Sequence, residues 1–105
     1  MLFVETPIFT ADVERWLSID EYQTLQLALL VRPEAGALIP GSGGLRKFRW
    51  RQSGRGKRGG LRVIYYWLRR DDAIFLLLMY RKTRQTNLTP QQVRALRRLV
   101  EENLA

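Results

Sequence analysis

Residues 73–79, AIFLLLM, are an unbroken apolar run, and Tyr80 extends it to eight residues. The run lacks the apolar–polar alternation of a strand with one wet face. It therefore predicts a central strand, paired on both edges and covered on both faces. At eight residues it is far short of the roughly 20 that a membrane-spanning helix needs. The rest of the chain must supply the neighbours and the cover.

Two further strand-like segments precede it. Residues 45–51 alternate, with Phe48 and Trp50 on one face and Lys47, Arg49 and Arg51 on the other. Residues 61–68, LRVIYYWL, are β-branched and aromatic. Asp71 and Asp72 read as a tight turn before the apolar run, and the glycine-rich stretch 52–60, QSGRGKRGG, as a longer connection. Residues 3–9 read as a short strand, with Pro7 marking an edge position, followed by a short helix over residues 11–17 capped by Thr10. Ser18 and Glu21 form a capping box that opens a helix over residues 19–31, stopped before Pro33. Its apolar positions, among them Tyr22, Leu25, Leu27, Leu29, Leu30 and Val31, make it largely buried or covered by a partner. Residues 35–44, AGALIPGSGG, read as a loop. Thr89, Pro90 and Gln92 signal a last helix, with Val93, Leu96, Leu99 and Val100 as its core stripe. The expectation is one α+β domain over residues 1–105, an antiparallel sheet with N-terminal helices and a C-terminal helix.

The charge is unevenly placed. The chain carries 18 Lys and Arg against 10 Asp and Glu, a formal +8. Residues 35–70 hold ten of the basic residues and no acidic one, so this segment is +10 and the remainder −2. A single-sign field resists compaction unless it serves a partner, so a polyanion is expected. Only Lys47, Lys57 and Lys82 among the basic residues are lysines. Arginine favours bidentate phosphate contact and stacking on bases.

The chain has no His and no Cys. This excludes Ser-His-Asp and Cys-His nucleophiles, a zinc site built on those residues, disulfides and thiol redox chemistry. No metal and no cofactor are expected. The opening residues MLFVETP lack the basic and apolar regions of a signal peptide, so a cytoplasmic protein with no membrane role is expected.

If sequential strands pair, the later three form a meander. The end of the first, the start of the second and the end of the third then share one edge. That edge gathers Arg49, Arg51, Arg55, Lys57, Arg58, Arg62, Arg81, Lys82 and Arg84. The string G-x-G-x-x-G at residues 54–59 is followed by a strand, so it lacks the helix N-terminus that would hold a pyrophosphate. Trp50, Tyr65, Tyr66 and Trp67 are core or cross-strand residues more often than base-stacking ones. Asp71-Asp72 and Glu101-Glu102 read as a turn and a solvated helix end.

The strings GGLRKFRW, GKRGGLRVIYY and YRKTRQTNLTPQQ, in this order, resemble the RelE/HigB family of toxins from toxin–antitoxin pairs. The resemblance implies a microbial RNase-type fold and an mRNA interferase that cuts messenger RNA in the ribosomal A site. It also implies a cognate antitoxin, commonly one with a helix-turn-helix domain. By position, Arg62 matches the family arginine opening the second meander strand. Lys82 matches a basic residue just past the third, Lys47 and Arg49 match the basic pair on the first, and Lys57 lies in the shared glycine loop. The chain departs from the pattern where some members carry a catalytic Tyr after the third strand; here that stretch reads Thr86-Asn87-Leu88-Thr89.

Cleavage of RNA by its own 2′-hydroxyl needs a base, a leaving-group acid and stabilisation of a phosphorane. Without His, a Lys crowded by Arg is the candidate base, since like charges lower its pKa. The expected catalytic residues are Lys57, Arg62 and Lys82. Lys47, Arg49, Arg51, Arg55, Arg58 and Arg84 are expected to hold the RNA. Two other classes account for the same charge: a non-catalytic RNA- or DNA-binding module, and an interaction domain that meets an acidic protein.

Overall fold

The computed structural model describes residues 1–51 and 60–104. Their order is β1 (Leu2–Glu5), α1 (Pro7–Trp16), α2 (Ile19–Val31), β2 (Ala37–Leu38), β3 (Leu45–Trp50), β4 (Leu61–Leu68), β5 (Ala73–Arg81) and α3 (Pro90–Leu104). The strands form one sheet in the order β1-β5-β4-β3-β2. The apolar run is therefore interior, and no residue of β5 is fully exposed. On one face α1 and α2 bring Phe9, Val13, Leu17, Leu25 and Leu29 onto Leu61, Val63, Tyr65, Ile74, Leu76 and Met79. On the other, α3 brings Val100 and Leu96 towards Leu45, Ile64, Leu77 and Tyr80.

The meander forms as expected: β3, β4 and β5 are antiparallel neighbours, and Trp50, Leu61 and Arg81 share a row at one end. The sheet is not wholly antiparallel, however, because β1 runs parallel to β5, with Phe3 opposite Ile74. The two strands start side by side. The amino terminus pairs with the Asp72 carboxylate at 3.2 Å, and Leu2 N–H donates to the Asp72 carbonyl at 3.0 Å.

Three local readings are corrected. Pro7 does not sit in an edge strand; it opens α1. Thr6, not Thr10, is the cap, accepting from Phe9 N–H at 3.1 Å while its own hydroxyl donates to the Leu77 carbonyl at 2.8 Å. Pro at the first helical position loses no hydrogen bond, which is why the helix prevails over the strand there. The Thr10 hydroxyl instead lies inside the helix and donates to Glu5 at 2.6 Å.

Second, the stretch 35–44 is not all loop: β2 pairs with β3, Ala37 opposite Lys47. Its approach is held by Tyr65, whose hydroxyl donates to the Pro33 carbonyl at 2.7 Å and accepts from Gly36 N–H at 2.8 Å. A Cβ on Gly36 would lie 2.7 Å from the Tyr65 ring, so this contact requires glycine.

Third, α2 begins and ends where its capping box and Pro33 place it, but it is buried on one stripe only. Leu25 and Leu29 are buried, whereas Leu27, Leu30 and Val31 face outward. A helix laid on one face of a sheet covers only its inner side.

The pairing of β4 with β5 contains a bulge. Ile64 is opposite Leu78 and Tyr65 opposite Leu76, so Leu77 is the extra residue. Before it, Ile74 and Leu76 face α1 and α2; after it, Met79 does. Leu77, Leu78 and Tyr80 all lie on the α3 side. A bulge inserts one residue and so reverses the side-chain parity of everything after it.

Candidate functional site

The cross-strand rows set which basic side chains meet. Arg49 is opposite Arg62, and Arg62 is opposite Tyr80. The next row on the same face is Lys47, Ile64 and Leu78. This is the α3 side of the sheet, where Val100 packs farther along, against Leu45, Ile64 and Leu77. Lys47 and Arg49 are separated by one strand repeat, about 6.7 Å.

Arg62 is the central residue. It is only 8% exposed, and the one hydrogen bond of its guanidinium among the described residues runs from Nη1 to the Leu61 carbonyl at 3.4 Å. No described carboxylate pairs with it. Burying an uncompensated guanidinium is costly, and placing a second arginine directly opposite adds repulsion. An oxyanion bound between Arg49 and Arg62 would remove both penalties, and the planar guanidinium forks would match its oxygens.

Tyr80 lies beside Arg62 and is buried, its hydroxyl 3.4 Å from the Thr86 carbonyl. Burial pushes the phenol pKa up, and the nearby Arg62 charge offsets part of that rise. At neutral pH it is therefore a neutral hydrogen-bond donor. Nothing in the sequence marks Tyr80 as a neighbour of Arg62: an eight-residue apolar run gives no sign that its last member turns towards the arginines.

Lys82 follows β5, and its N–H donates to the Gly60 carbonyl at 3.1 Å. A methyl group on Gly60 would stand 3.6 Å from Arg62 Nη1 and 4.0 Å from Lys82 Cβ, so these two residues bracket Gly60. Lys82 is exposed, as are Arg49 and Arg51. Lys47 is half-buried and donates from Nζ to Asn87 Oδ1 at 2.7 Å.

Arg84 lies next to the Arg62 row rather than in it: with Asp12, Arg15, Trp16, Arg81 and Gln85 it lines a pocket of about 480 Å³ beside α1 that shares Tyr80 with that row. Arg81 is turned there too, its guanidinium 5.2 Å above the Trp16 ring. Arg55, Lys57 and Arg58 lie outside the described residues. The aromatic residues of β3 and β4 serve packing. Tyr65 is fully buried, and Trp50 and Trp67 pack against the α1–α2 core. Among the described residues no group of three or more acidic side chains could hold a metal ion, and no helix is long and apolar enough to cross a membrane.

Residues 10–105 match the sequence model of the family described as the RelE toxin of the RelE/RelB toxin–antitoxin system. Among solved structures, the E. coli toxin RelE in the free state, carrying two arginine-to-alanine substitutions, is similar in shape. The TM-score is 0.58 at 15% identity, over 80% of this chain and 85% of that one. At that identity the likeness carries the fold, three helices against a mixed sheet, and no residue roles.

Proposed function

The chain belongs to the RelE toxin family of toxin–antitoxin systems, and on that footing we propose that it is an endoribonuclease that cuts messenger RNA on the ribosome. The observation that carries this reading is Arg62, a buried guanidinium with Arg49 opposite it and no described carboxylate beside it. Its charge is oriented for an anion that the fold itself does not supply.

In this reading the scissile phosphate sits against Arg62. Attack by the neighbouring 2′-hydroxyl forms a phosphorane, whose charge Arg62 stabilises through its forked N–H donors. Protons leave the 2′-hydroxyl and reach the 5′-oxygen leaving group through Lys82 or Lys57. Arg49 and Lys47 hold the adjacent backbone, with Arg51, Arg55, Arg58 and Arg84 extending the cationic surface. The ribosome, by fixing the RNA strand, supplies the proximity that a site of Lys and Arg lacks. The partner that silences the protein is a cognate antitoxin with a helix-turn-helix domain, and the site of action is the cytoplasm. The chemistry needs neither metal nor cofactor.

Primer extension on messenger RNA from a translation reaction, with and without ribosomes, tests this. The wild type should cut within codons only when ribosomes are present. Arg62→Ala should lower cleavage at least about 100-fold, the scale of losing one transition-state donor, with its circular dichroism spectrum unchanged. Lys82→Ala should fall comparably if Lys82 moves the proton. Normal cleavage by both variants would place the chemistry elsewhere, and RNA binding without any cleavage would favour the non-catalytic binding module.

A further inference from the structure

On the same face as Arg49 and Arg62, one row away, lies a pocket of about 350 Å³ that shares only Lys47 with the residues assigned above to the RNA. Its apolar walls are Leu38, Ile39 and Pro40 on one side and Leu88 on the other; Lys47 and Asn87 supply its polar atoms. Apolar walls with a few convergent polar groups are the make-up of a small-ligand site. They also match a nucleobase, which has apolar faces and a hydrogen-bonding edge.

The Lys47–Asn87 contact fixes how the pocket reads that edge. An ammonium group only donates, so the Asn87 oxygen must face Lys47 Nζ. The amide nitrogen is thereby turned away from Lys47, and it donates to no described residue. Asn87 is itself held in place. Its backbone carbonyl accepts from Gln85 Nε2 at 3.0 Å, and Gln85 donates to Gln92 Oε1 at 3.0 Å. Gln92 closes the capping box at the start of α3, with Thr89 N–H donating to Gln92 Oε1 at 2.9 Å and Gln92 N–H to Thr89 Oγ1 at 3.1 Å. The network anchored in α3 therefore holds the backbone of Asn87, and the bond from Lys47 sets how its exposed amide is turned. That amide stands beside Lys47, one strand repeat from Arg49, which is comparable to the step between consecutive nucleotides of an extended strand.

We propose that this pocket takes one base of the bound RNA, from the nucleotide next to the phosphate held by Arg62. Asn87 Nδ2 selects a base that presents an acceptor there. The proposal rests on the reading of the chain as an RNA-cutting toxin and names where its sequence preference resides.

The test is fluorescence anisotropy with short oligoribonucleotides made uncleavable by 2′-deoxy substitution and differing at one base. For wild type, the best and worst of the four bases should differ at least about fivefold in Kd, and Asn87→Ala should bring that ratio below about twofold. Asn87→Asp keeps an acceptor for Lys47 but loses the donor, so it should change the order of the bases. Leu38→Trp, at an exposed position, should fill the pocket and also flatten the preference. Equal binding of all four bases, no binding, or a wild-type ratio in Asn87→Ala overturns the proposal. Cleavage scored in parallel separates the two readings. A protein that discriminates through Asn87 but never cuts overturns the endonuclease alone. One that cuts with a preference indifferent to Asn87 overturns the pocket alone.

Discussion

Three of the four tyrosines, Tyr22, Tyr65 and Tyr80, carry phenols whose ionisation is pushed above the ordinary value of 10.0, in each case first by burial. For Tyr22 the hydrogen bond to the Glu5 carboxylate pushes further the same way, and at Tyr80 the Arg62 charge works against burial. A phenol harder to ionise when folded makes the native state the tighter proton binder. Its contribution is fully present below pH 10 and is lost as pH rises through the folded-state value. The urea midpoint should therefore fall as pH rises above about 10. Ultraviolet difference titration should show most tyrosinate appearing together with loss of near-ultraviolet circular dichroism. Full ionisation centred at pH 10 in a folded protein would contradict this. Of the residues proposed for the site, Arg49, Arg62 and Lys82 are gathered by charge and strand order, and Lys47 is named by the family resemblance. Tyr80 and Asn87 are not legible in this way, because neither a phenol ending an apolar run nor an Asn in a polar turn carries a distinguishing pattern.

At the scale of elements, capping residues decided where the helices lie. The boxes at Ser18–Glu21 and Thr89–Gln92 are local, so they were readable before any fold was known. Thr6 and Pro7 carry the same local signal as Thr89 and Pro90, with Phe9 N–H donating to Thr6 Oγ1, but the apolar residues around them also read as a strand over residues 3–9. β2 is hidden for a different reason. Two residues have no periodicity, and the strand exists because Tyr65 holds the Pro33–Gly36 turn against the sheet. Gly36→Ala tests that account. Its methyl group would stand 2.7 Å from the Tyr65 ring, 3.0 Å from its hydroxyl oxygen and 3.1 Å from the Lys47 backbone. Overpacking of this kind should lower stability by about 1–3 kcal/mol in urea unfolding. A variant as stable as wild type would show that Tyr65 can move aside and that the turn is not held as described.

For the whole molecule, the formal +8 becomes a directed surface because the meander stacks Lys47, Arg49 and Arg62 on one face. Binding to single-stranded RNA should weaken with salt, and Arg49→Ala should reduce the log–log slope by about 0.7, the value for one lost phosphate contact. The loss should be nearly uniform across sequences, unlike that of Asn87→Ala; an unchanged slope would remove Arg49 from the RNA path. The sequence alone determined the α+β class, the interior place of β5, the edge where the basic residues gather and the resemblance to RelE-type toxins. The first three follow from local composition, periodicity and short connections; the resemblance rests on the strings GGLRKFRW, GKRGGLRVIYY and YRKTRQTNLTPQQ. Tertiary structure alone decided which of those residues share a face. Simple alternation along β5 would put Tyr80 with Ile74 and Leu76, towards α1 and α2. The bulge at Leu77 reverses that parity and sets Tyr80 beside Arg62. A continuous apolar run is equally compatible with either parity, so only the pairing of β5 with β4 fixes it.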